Sequence, residues 1–168
     1  MRDDEFERLY AAEAQGLFGF LAYRTGDRGL AEDLLADTFE RALRSRRRFD
    51  RRRGSEKTWL YAIAVNLLTD TQRREASERR ALERAGAPAG VGGAEPAAPD
   101  VVGRLAERDR VAHALRTLGD DERTAVALRY GADLSLKEVA RVAGISRAAA
   151  EQRVYRGLGK LRDELGPQ

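Results

Sequence analysis

The sequence predicts an all-α protein built from two small helical domains that are joined by a flexible linker. Apolar residues recur with the three-to-four-residue spacing of amphipathic helices in both halves of the 168-residue chain. The signals of strands, which are period-two alternation and tight hairpin turns, are missing. The segment GAPAGVGGAEPAAP holds three of the four prolines and has no apolar periodicity, as is typical of a linker. We therefore expect domains at residues 1–85 and 100–168 and a linker at 86–99.

The N-terminal domain is predicted to contain three main helices. The apolar face of the first runs from Phe6 to Ala22, and the TGDRG segment then breaks the chain. In the second helix Leu35, Phe39 and Leu43 recur every four residues, which predicts a buried stripe. Its neighbours Leu34, Thr38 and Ala42 widen that stripe. The apolar positions of the third helix are Trp59, Leu60, Ile63, Ala64, Leu67 and Leu68.

The composition excludes several classes of protein. Cysteine is absent and His113 is the single histidine, so neither a Cys/His zinc site nor a catalytic triad can be built. No phosphate-binding loop of the P-loop pattern is found, and no apolar run approaches the ~20 residues that span a bilayer. We expect no catalytic residue, metal or cofactor, and a cytoplasmic protein that does not insert into a membrane.

The C-terminal domain carries the pattern of a helix-turn-helix. Ser135 is placed to cap a helix from Leu136, with Glu138 as its capping-box partner. Gly144 is expected to provide the turn, and Ser146 to cap the second helix. The predicted inward positions are Val139, Ala140, Ile145, Ala150, Val154, Leu158 and Leu161. Further upstream, Val111, Leu115 and Leu118 mark one helix, and Asp120 and Asp121 stand at the expected N-cap of the next, ERTAVALRY.

The second helix of this motif presents a basic and polar outer face of the kind that reads a DNA major groove. Its outward positions are Arg147, Glu151, Gln152, Arg153, Tyr155 and Arg156. An ordinary helical hairpin with a charged outer face is the alternative. The order of cap, small residue, glycine turn and basic helix favours DNA binding.

The segment RSRRRFDRRRGSEK, which contains two arginine triplets, is the most basic part of the chain. Such a concentration of positive charge attracts phosphate groups. A run of arginines is equally compatible with a solvated surface. The segment by itself leaves both interpretations open.

Two blocks of the chain together resemble a known family. LSLKEVARVAGISRAAAEQRVYRGLGKLR is similar to the −35-binding region of bacterial sigma factors. GDRGLAEDLLADTFERAL, followed by RFDRRRGSEKTWLYAIAVNLLTDTQRR, is similar to their core-binding and −10-binding region. The blocks stand in the family's order, and the stretch between them is too short for the middle domain of housekeeping sigma factors. The resemblance is therefore to the extracytoplasmic-function (ECF) group of the sigma-70 family.

The resemblance implies that the second helix docks on RNA polymerase. Asp33, Asp37 and Glu40 are spaced to share one side of that helix, and an acidic stripe suits a basic partner. Without the resemblance, these carboxylates would be expected merely to solvate a bundle helix. The implied contact residues are Asp33, Leu34, Asp37, Glu40 and Arg41.

The resemblance also implies two DNA-binding sets. The set for the −10 element is Arg53, Gly54, Ser55, Lys57, Thr58, Trp59, Tyr61, Asn66, Arg73 and Arg74. Within this set, the Gly54–Thr58 loop is expected to hold a flipped base. For Trp59, a position in the core is favoured over a contact with DNA. Those for the −35 element are Ser146, Arg147, Ala149, Glu151, Gln152, Arg153, Tyr155 and Arg156. One departure is that the acidic Glu151 occupies a position where the family usually has a basic residue.

The resemblance implies a non-enzymatic sigma factor that binds core RNA polymerase, recognises −35 and −10 promoter elements and helps to melt DNA. An anti-sigma factor is the further partner expected. Two alternatives stay open at this point. One is a stand-alone helix-turn-helix regulator, and the other is a degenerate sigma-like protein that binds polymerase without selecting promoters.

Overall fold

The protein consists of helices in all the parts that its structure describes. A computed structural model describes residues 1–86, 110, 111 and 113–166, and the chain divides into two compact units, Met1–Pro96 and Ala97–Gln168. Every regular element among the described residues is helical, which confirms the all-α prediction. The linker predicted at 86–99 lies, apart from Gly86, outside the described residues. None of the described helices is both long and apolar enough to cross a membrane.

The N-terminal unit is a bundle of three helices, α1 (Asp3–Thr25), α2 (Arg28–Ser45) and α3 (Glu56–Arg84). Two short 3₁₀ turns, Arg46–Arg48 and Arg51–Arg53, connect α2 to α3. The Asp27 carboxylate starts α2 by accepting the Leu30 N–H at 3.0 Å. The completely buried apolar side chains at the centre of the bundle are Leu17, Leu21, Ala31, Ala42, Leu60 and Ala64.

The stripe predicted along α2 is buried except at two positions, Leu35, which is half-buried, and Leu43. Leu34, Thr38, Phe39 and Ala42 are buried, whereas the Leu43 side chain is 41% exposed. The Phe39 ring lies 4.6 Å from the ring of Tyr10 on α1. The apolar contact between α1 and α2 therefore ends one turn before Leu43.

The C-terminal unit contains α4 (Asp120–Val126), α5 (Leu136–Ala143) and α6 (Arg147–Leu165). Residues 110, 111 and 113–116, which precede α4, are also helical. Two details differ from the prediction. The N-cap of α4 is Gly119, whose N–H donates to the Glu122 carboxylate at 3.3 Å. The helix predicted through ERTAVALRY changes at Ala127 into a π-helical turn, Ala127–Gly131.

The helices α4 and α6 approach each other closely at Gly157. Gly157 on α6 is buried, and a Cβ atom added to it would lie only 2.7 Å from Cγ2 of Val126. The absence of a side chain at this position lets the two helices approach each other. The predicted inward face of α6 has Ala150 and Val154 buried, while Leu158 is half-buried.

Candidate nucleic-acid and polymerase interfaces

The helix-turn-helix forms at the positions that the sequence predicts. The Ser135 hydroxyl accepts the Glu138 N–H at 3.3 Å, and the Glu138 carboxylate accepts the Ser135 N–H at 2.9 Å. Gly144 ends α5 with a φ of 65°, a left-handed conformation that glycine adopts without a steric penalty. The Ser146 hydroxyl then accepts the Ala149 N–H at 3.1 Å and starts α6. These local hydrogen bonds fix the angle at which α6 leaves the turn.

The outer face of α6 is polar and highly exposed in its first two turns. Tyr155 is 73% exposed, and it lies one turn beyond the exposed Glu151. Ala148 and Gln152 lie on the same face and are also exposed. Arg147 and Arg156, at the edges of this face, are exposed as well.

Two residues of the predicted −35 set lie elsewhere. Arg153 is half-buried, and its guanidinium contacts the Asp121 carboxylate on α4 at 3.0 Å. Ala149 is half-buried, while its neighbour Ala148 is exposed. We correct both assignments, because a side chain turned toward α4 or the bundle is poorly placed to reach a groove. The hydroxyl of Ser146 is engaged in the cap, although the residue is exposed.

A second ion pair connects α4 with the later part of α6. Nζ of Lys160 lies 2.7 Å from the Glu122 carboxylate. Hydrogen bonding from Lys160, with a smaller contribution from the Gly119 N–H, lowers the pKa of Glu122 below its ordinary value. The acidic first turn of α4 thus forms ion pairs with the basic side of α6. That side of α6 lies away from the outer face.

The outer side of α2 forms an acidic face, which we define as Asp33, Asp37 and Glu40. All three are exposed. Glu40 pairs with Arg44, whereas Asp33 and Asp37 make no ion pair with any residue that the structure describes. Arg41 is exposed beside this face. Leu34 was predicted to join the contact but is only 3% exposed, so we correct its role to core packing.

The connection between α2 and α3 displays arginines close to a glycine. The Asp50 carboxylate accepts the Arg52 N–H at 2.9 Å and shapes the second 3₁₀ turn. Gly54 follows with a φ of 154° and a ψ of 175°, a conformation nearly restricted to glycine. The Ser55 hydroxyl then caps α3 by accepting the Thr58 N–H at 3.1 Å. Arg53 is exposed and Gly54 is half-buried.

A cavity of about 610 Å³ lies between this connection and α1. Its wall alternates in charge, because Arg51 bridges the carboxylates of Glu5 and Glu56, at 2.9 Å each. Lys57 lies 3.7 Å from the Glu13 carboxylate. The Arg2 N–H, with help from Arg51, lowers the pKa of Glu5. The α1 residues that line the cavity are Glu5, Arg8, Leu9, Ala12 and Glu13.

The sequence reasoning missed these α1 residues. They face the loop only because the chain folds back on itself, and no local motif predicts that contact. Glu5 and Arg51, for example, form an ion pair although they are 46 residues apart in the chain. The one available signal was that the acidic residues Glu5 and Glu13 of α1 could balance a basic loop.

The remaining residues of the predicted −10 set divide into buried and exposed groups. Thr58 and Tyr61 are each 1% exposed, and burial raises the pKa of Tyr61. We therefore correct these two to core residues, because their side chains are enclosed by the bundle. Trp59 is half-buried, and its ring lies 5.2 Å from that of Phe49. The exposed members along α3 are Asn66, Arg73 and Arg74.

The part of the chain that the structure describes contains no cluster of side chains that could form a metal site. There, no group of three or more His, Asp or Glu side chains converges to hold an ion. The charged clusters of the cavity and of the α4–α6 contact are instead neutralised by arginine and lysine.

Comparisons with known proteins agree with this arrangement. Sigma-70 region 2 matches residues 9–78, and Sigma-70, region 4, matches residues 114–163. The RNA polymerase sigma factor CarQ of Myxococcus xanthus is 37% identical over 166 residues, covering 97% of this chain and 90% of CarQ. The ECF RNA polymerase sigma factor SigX of Bacillus subtilis is 30% identical over 173 residues, covering 97% of this chain and 84% of SigX.

Solved structures share the fold over nearly the whole chain. The sigma factor RpoE of Bartonella quintana, in complex with the anti-sigma factor NepR, aligns with a TM-score of 0.78 at 22% identity and covers 96% of each chain. CnrH, in complex with the cytosolic domain of CnrY, aligns with a TM-score of 0.67 at 25% identity and covers 98% of this chain and 89% of CnrH. The two region matches and the identities to CarQ and SigX show that the chain belongs to the extracytoplasmic-function group of the sigma-70 family of RNA polymerase sigma factors.

Proposed function

We propose that this sigma factor binds core RNA polymerase, directs it to promoters that carry −35 and −10 elements, and helps to open the DNA, with no catalytic activity of its own. The proposed division of labour gives polymerase and −10 binding to residues 1–85, and −35 binding to residues 100–168. The observation that carries the proposal is the acidic face of α2, in which Asp33 and Asp37 are exposed and make no ion pair with any residue that the structure describes. A regulator that only binds DNA has no use for such a face.

The polymerase contact is assigned to that acidic face together with Arg41. Asp33 and Asp37 are exposed and lack basic partners among the described residues, so their charges are available to a basic surface. Exposed charges of this kind chiefly give association rate and orientation, and they contribute little to folding. Leu43, exposed at the end of the same helix, adds an apolar group beside them.

Opening of the −10 element is assigned to the cavity beside Gly54. Its volume of about 610 Å³ lies within the range of small-molecule sites and suffices for one unstacked base. Extruding a base costs a few kcal/mol, which pocket contacts must offset. Ser55 and Lys57 lie at the cavity wall and are kept as contacts. Asn66, Arg73 and Arg74 are exposed along α3, where they can contact bases and phosphates.

Reading of the −35 element is assigned to the outer face of α6. Gln152 can pair with adenine through two hydrogen bonds, and Glu151 can accept one from cytosine. Ala148 and the ring of Tyr155 can contact the methyl group of thymine. Arg147 and Arg156, at the edges of the face, are assigned to phosphates.

Regulation by an anti-sigma factor is also part of the proposal. RpoE of Bartonella quintana was solved in complex with the anti-sigma factor NepR, and CnrH was solved in complex with the cytosolic domain of CnrY. We infer that a protein of this kind also binds the present chain.

The direct test is run-off transcription with purified core polymerase over a promoter library. Enrichment of promoters with a common −35/−10 pair is the expected result. A homodimeric footprint on palindromic DNA without polymerase would instead indicate a stand-alone regulator. Polymerase binding without promoter choice would indicate a degenerate sigma-like protein.

A further inference from the structure

The connection between α2 and α3, residues 46–55, is not held in place by the core. None of its residues is buried. Each of its two 3₁₀ turns is closed by a backbone hydrogen bond within the turn. The Phe49 ring, 5.2 Å from the ring of Trp59, gives the connection an aromatic contact with α3. The position of the connection therefore depends largely on polar contacts with neighbouring helices.

The charge of the connection opposes its compact shape. It contains six arginines and one acidic residue, Asp50. Like charges at this density repel one another, and a more open chain would relieve the repulsion. Negative charges from outside the connection must therefore offset the repulsion that the two turns bring with them.

Three carboxylates of α1 supply such charges. We define the acidic edge of α1 as Asp3, Glu5 and Glu13. The Asp3 carboxylate lies 2.8 Å from the guanidinium of Arg46 in the first 3₁₀ turn. The Glu5 carboxylate lies 2.9 Å from the guanidinium of Arg51 in the second, and Glu13 lies 3.7 Å from Nζ of Lys57 at the start of α3. The acidic edge thus contacts both turns of the connection and the helix that follows them.

Glu5 is the member of the acidic edge that is most firmly fixed. Its Oε2 accepts the Arg2 N–H at 2.8 Å, which anchors the side chain to the start of α1. Its Oε1 accepts from Nη2 of Arg51 at 2.9 Å, and the same nitrogen donates to the Glu56 carboxylate at 2.9 Å. The side chains of Glu5 and Glu56 are only 18% and 29% exposed. Partial shielding from water and a shared partner make such a network stronger than an isolated surface pair.

The ion pair of Arg51 with Glu56 shapes the wall of the cavity. Arg51 and Glu56 stand on either side of Gly54 and Ser55 in the chain, so their contact closes a short loop around these two residues. All four residues line the cavity that the proposed function assigns to an unstacked base. Glu5, which also lines the cavity, attaches this closed loop to α1.

We propose that Glu5 is a positioning residue for opening of the −10 element. By holding Arg51, it keeps the connection in the shape that presents Gly54 and Ser55 to the extruded base. This inference rests on the proposed function. A wall that is already in place loses less conformational freedom when a base enters than a wall that must first be ordered. Glu5 acts through Arg51, and its effect falls on the opening step.

The experiment measures promoter binding and promoter opening separately. The two quantities are the affinity of holoenzyme for a duplex promoter and the rate of open-complex formation at saturating holoenzyme. Glu5→Gln should slow opening about two- to fivefold, the range expected for a partly exposed ion pair, and leave initial binding unchanged. An amide has one oxygen, so it cannot replace both oxygens that accept from Arg2 and Arg51. In an Arg51→Ala background, Glu5→Gln should have no further effect, because the two residues act through one contact.

Glu7 provides the matched control. It lies on the same helix, is exposed and makes no ion pair with any residue that the structure describes. Glu7→Gln makes the same chemical change as Glu5→Gln. It should alter neither the binding of the promoter nor the rate of opening.

The fluorescence of the free protein gives a second readout that does not depend on polymerase. Trp59 is the single tryptophan, and its contact with Phe49 depends on the position of the connection. Collisional quenching of Trp59 by acrylamide should increase in Glu5→Gln, because a loosened connection withdraws Phe49. Quenching in Glu7→Gln should stay at the wild-type value.

Faster opening or tighter duplex binding by Glu5→Gln would overturn the proposal, because it would show that Glu5 only withholds Arg51 from phosphate. An unchanged opening rate or unchanged Trp59 quenching would also overturn it, as would equal effects of Glu5→Gln and Glu7→Gln. A matching loss of core polymerase binding would indicate a general structural defect and overturn it too. A wild-type holoenzyme that opened no promoter would refute the proposed function itself, and the quenching comparison would still decide whether Glu5 holds the connection.

Discussion

Replacing Gly157 with alanine tests whether the close approach of α4 and α6 determines the stability of the C-terminal unit. The added Cβ would lie 2.7 Å from Cγ2 of Val126, a distance at which one of the two atoms must move. Val126 is 6% exposed and β-branched, and such a side chain has one strongly preferred rotamer in a helix. The backbone carbonyl oxygen of Glu122, 3.6 Å from the same Cβ position, limits any shift of α6 toward α4.

The expected change is the balance of two opposing effects. Overpacking a well-filled contact costs about 1–3 kcal/mol, whereas replacing glycine by alanine within a helix contributes roughly 1 kcal/mol in the other direction. We expect a net destabilisation of about 1 kcal/mol, which corresponds to a decrease in Tm of about 4–8 °C for a unit of this size. Gly159, two residues later, has open space where a Cβ would lie, with no atom within 4 Å of that position. Gly159→Ala should therefore stabilise the unit by about 0.5–1 kcal/mol.

Calorimetry of the full chain measures both variants, and the fluorescence of Trp59 identifies the transition of the N-terminal unit. Trp59 is the single tryptophan and belongs to that unit, so its unfolding curve should stay unchanged. A second background isolates the contact itself. Val126→Ala removes Cγ2, and in that background Gly157→Ala should become stabilising.

The sign of the stability change caused by Gly157→Ala, with and without Val126→Ala, tests whether the clash with Val126 is the cause. If Gly157→Ala destabilises the chain equally with and without the Val126 methyl groups, the clash is not the cause. If Gly157→Ala and Gly159→Ala both stabilise the wild type, α6 can move away from α4 at no cost, and the close approach does not limit stability.

Three further predictions address the binding surfaces and the ion pairs. Replacing Asp33 and Asp37 with arginine should weaken core polymerase binding several-fold. The helical circular dichroism should stay unchanged, since exposed charges contribute little to folding. An unaltered affinity for core polymerase would show that the acidic face is not part of the contact. Glu151→Ala should relax base preference at one or two −35 positions by roughly 1–3 kcal/mol. The measurement is the affinity for all single-base variants of the −35 element. An affinity profile parallel to that of the wild type would show that Glu151 does not read a base. Because Lys160 lowers the pKa of Glu122 from 4.5, the carboxylate stabilises the fold above that value and loses this effect as the pH falls through its lower folded pKa. Acid should therefore reduce the Tm of the wild type more steeply than that of Glu122→Gln, and equal acid dependence would show that the pair does not stabilise the fold.

The sequence by itself determined the class of fold, the order of the helices and the helix-turn-helix. Ser135, Gly144 and Ser146 act on backbone groups within four residues of themselves, and apolar periodicity is likewise a property of a few successive turns. Local rules of this kind can be read from a single stretch of chain. The acidic face of α2 was predictable for the same reason, because the spacing of Asp33 and Asp37 alone places them on one side of a helix.

Only the tertiary structure decided which side chains the domains enclose and which they present. Leu43 has the spacing of a core residue, but the seam with α1 ends before it, while Tyr61 looked available to DNA and is enclosed by the bundle. The pair of Arg153 with Asp121 joins residues of different helices, and so does the contact of Gly157 with Val126. Such contacts depend on how closely and at what angle two helices cross, which side-chain volumes from distant parts of the chain set together.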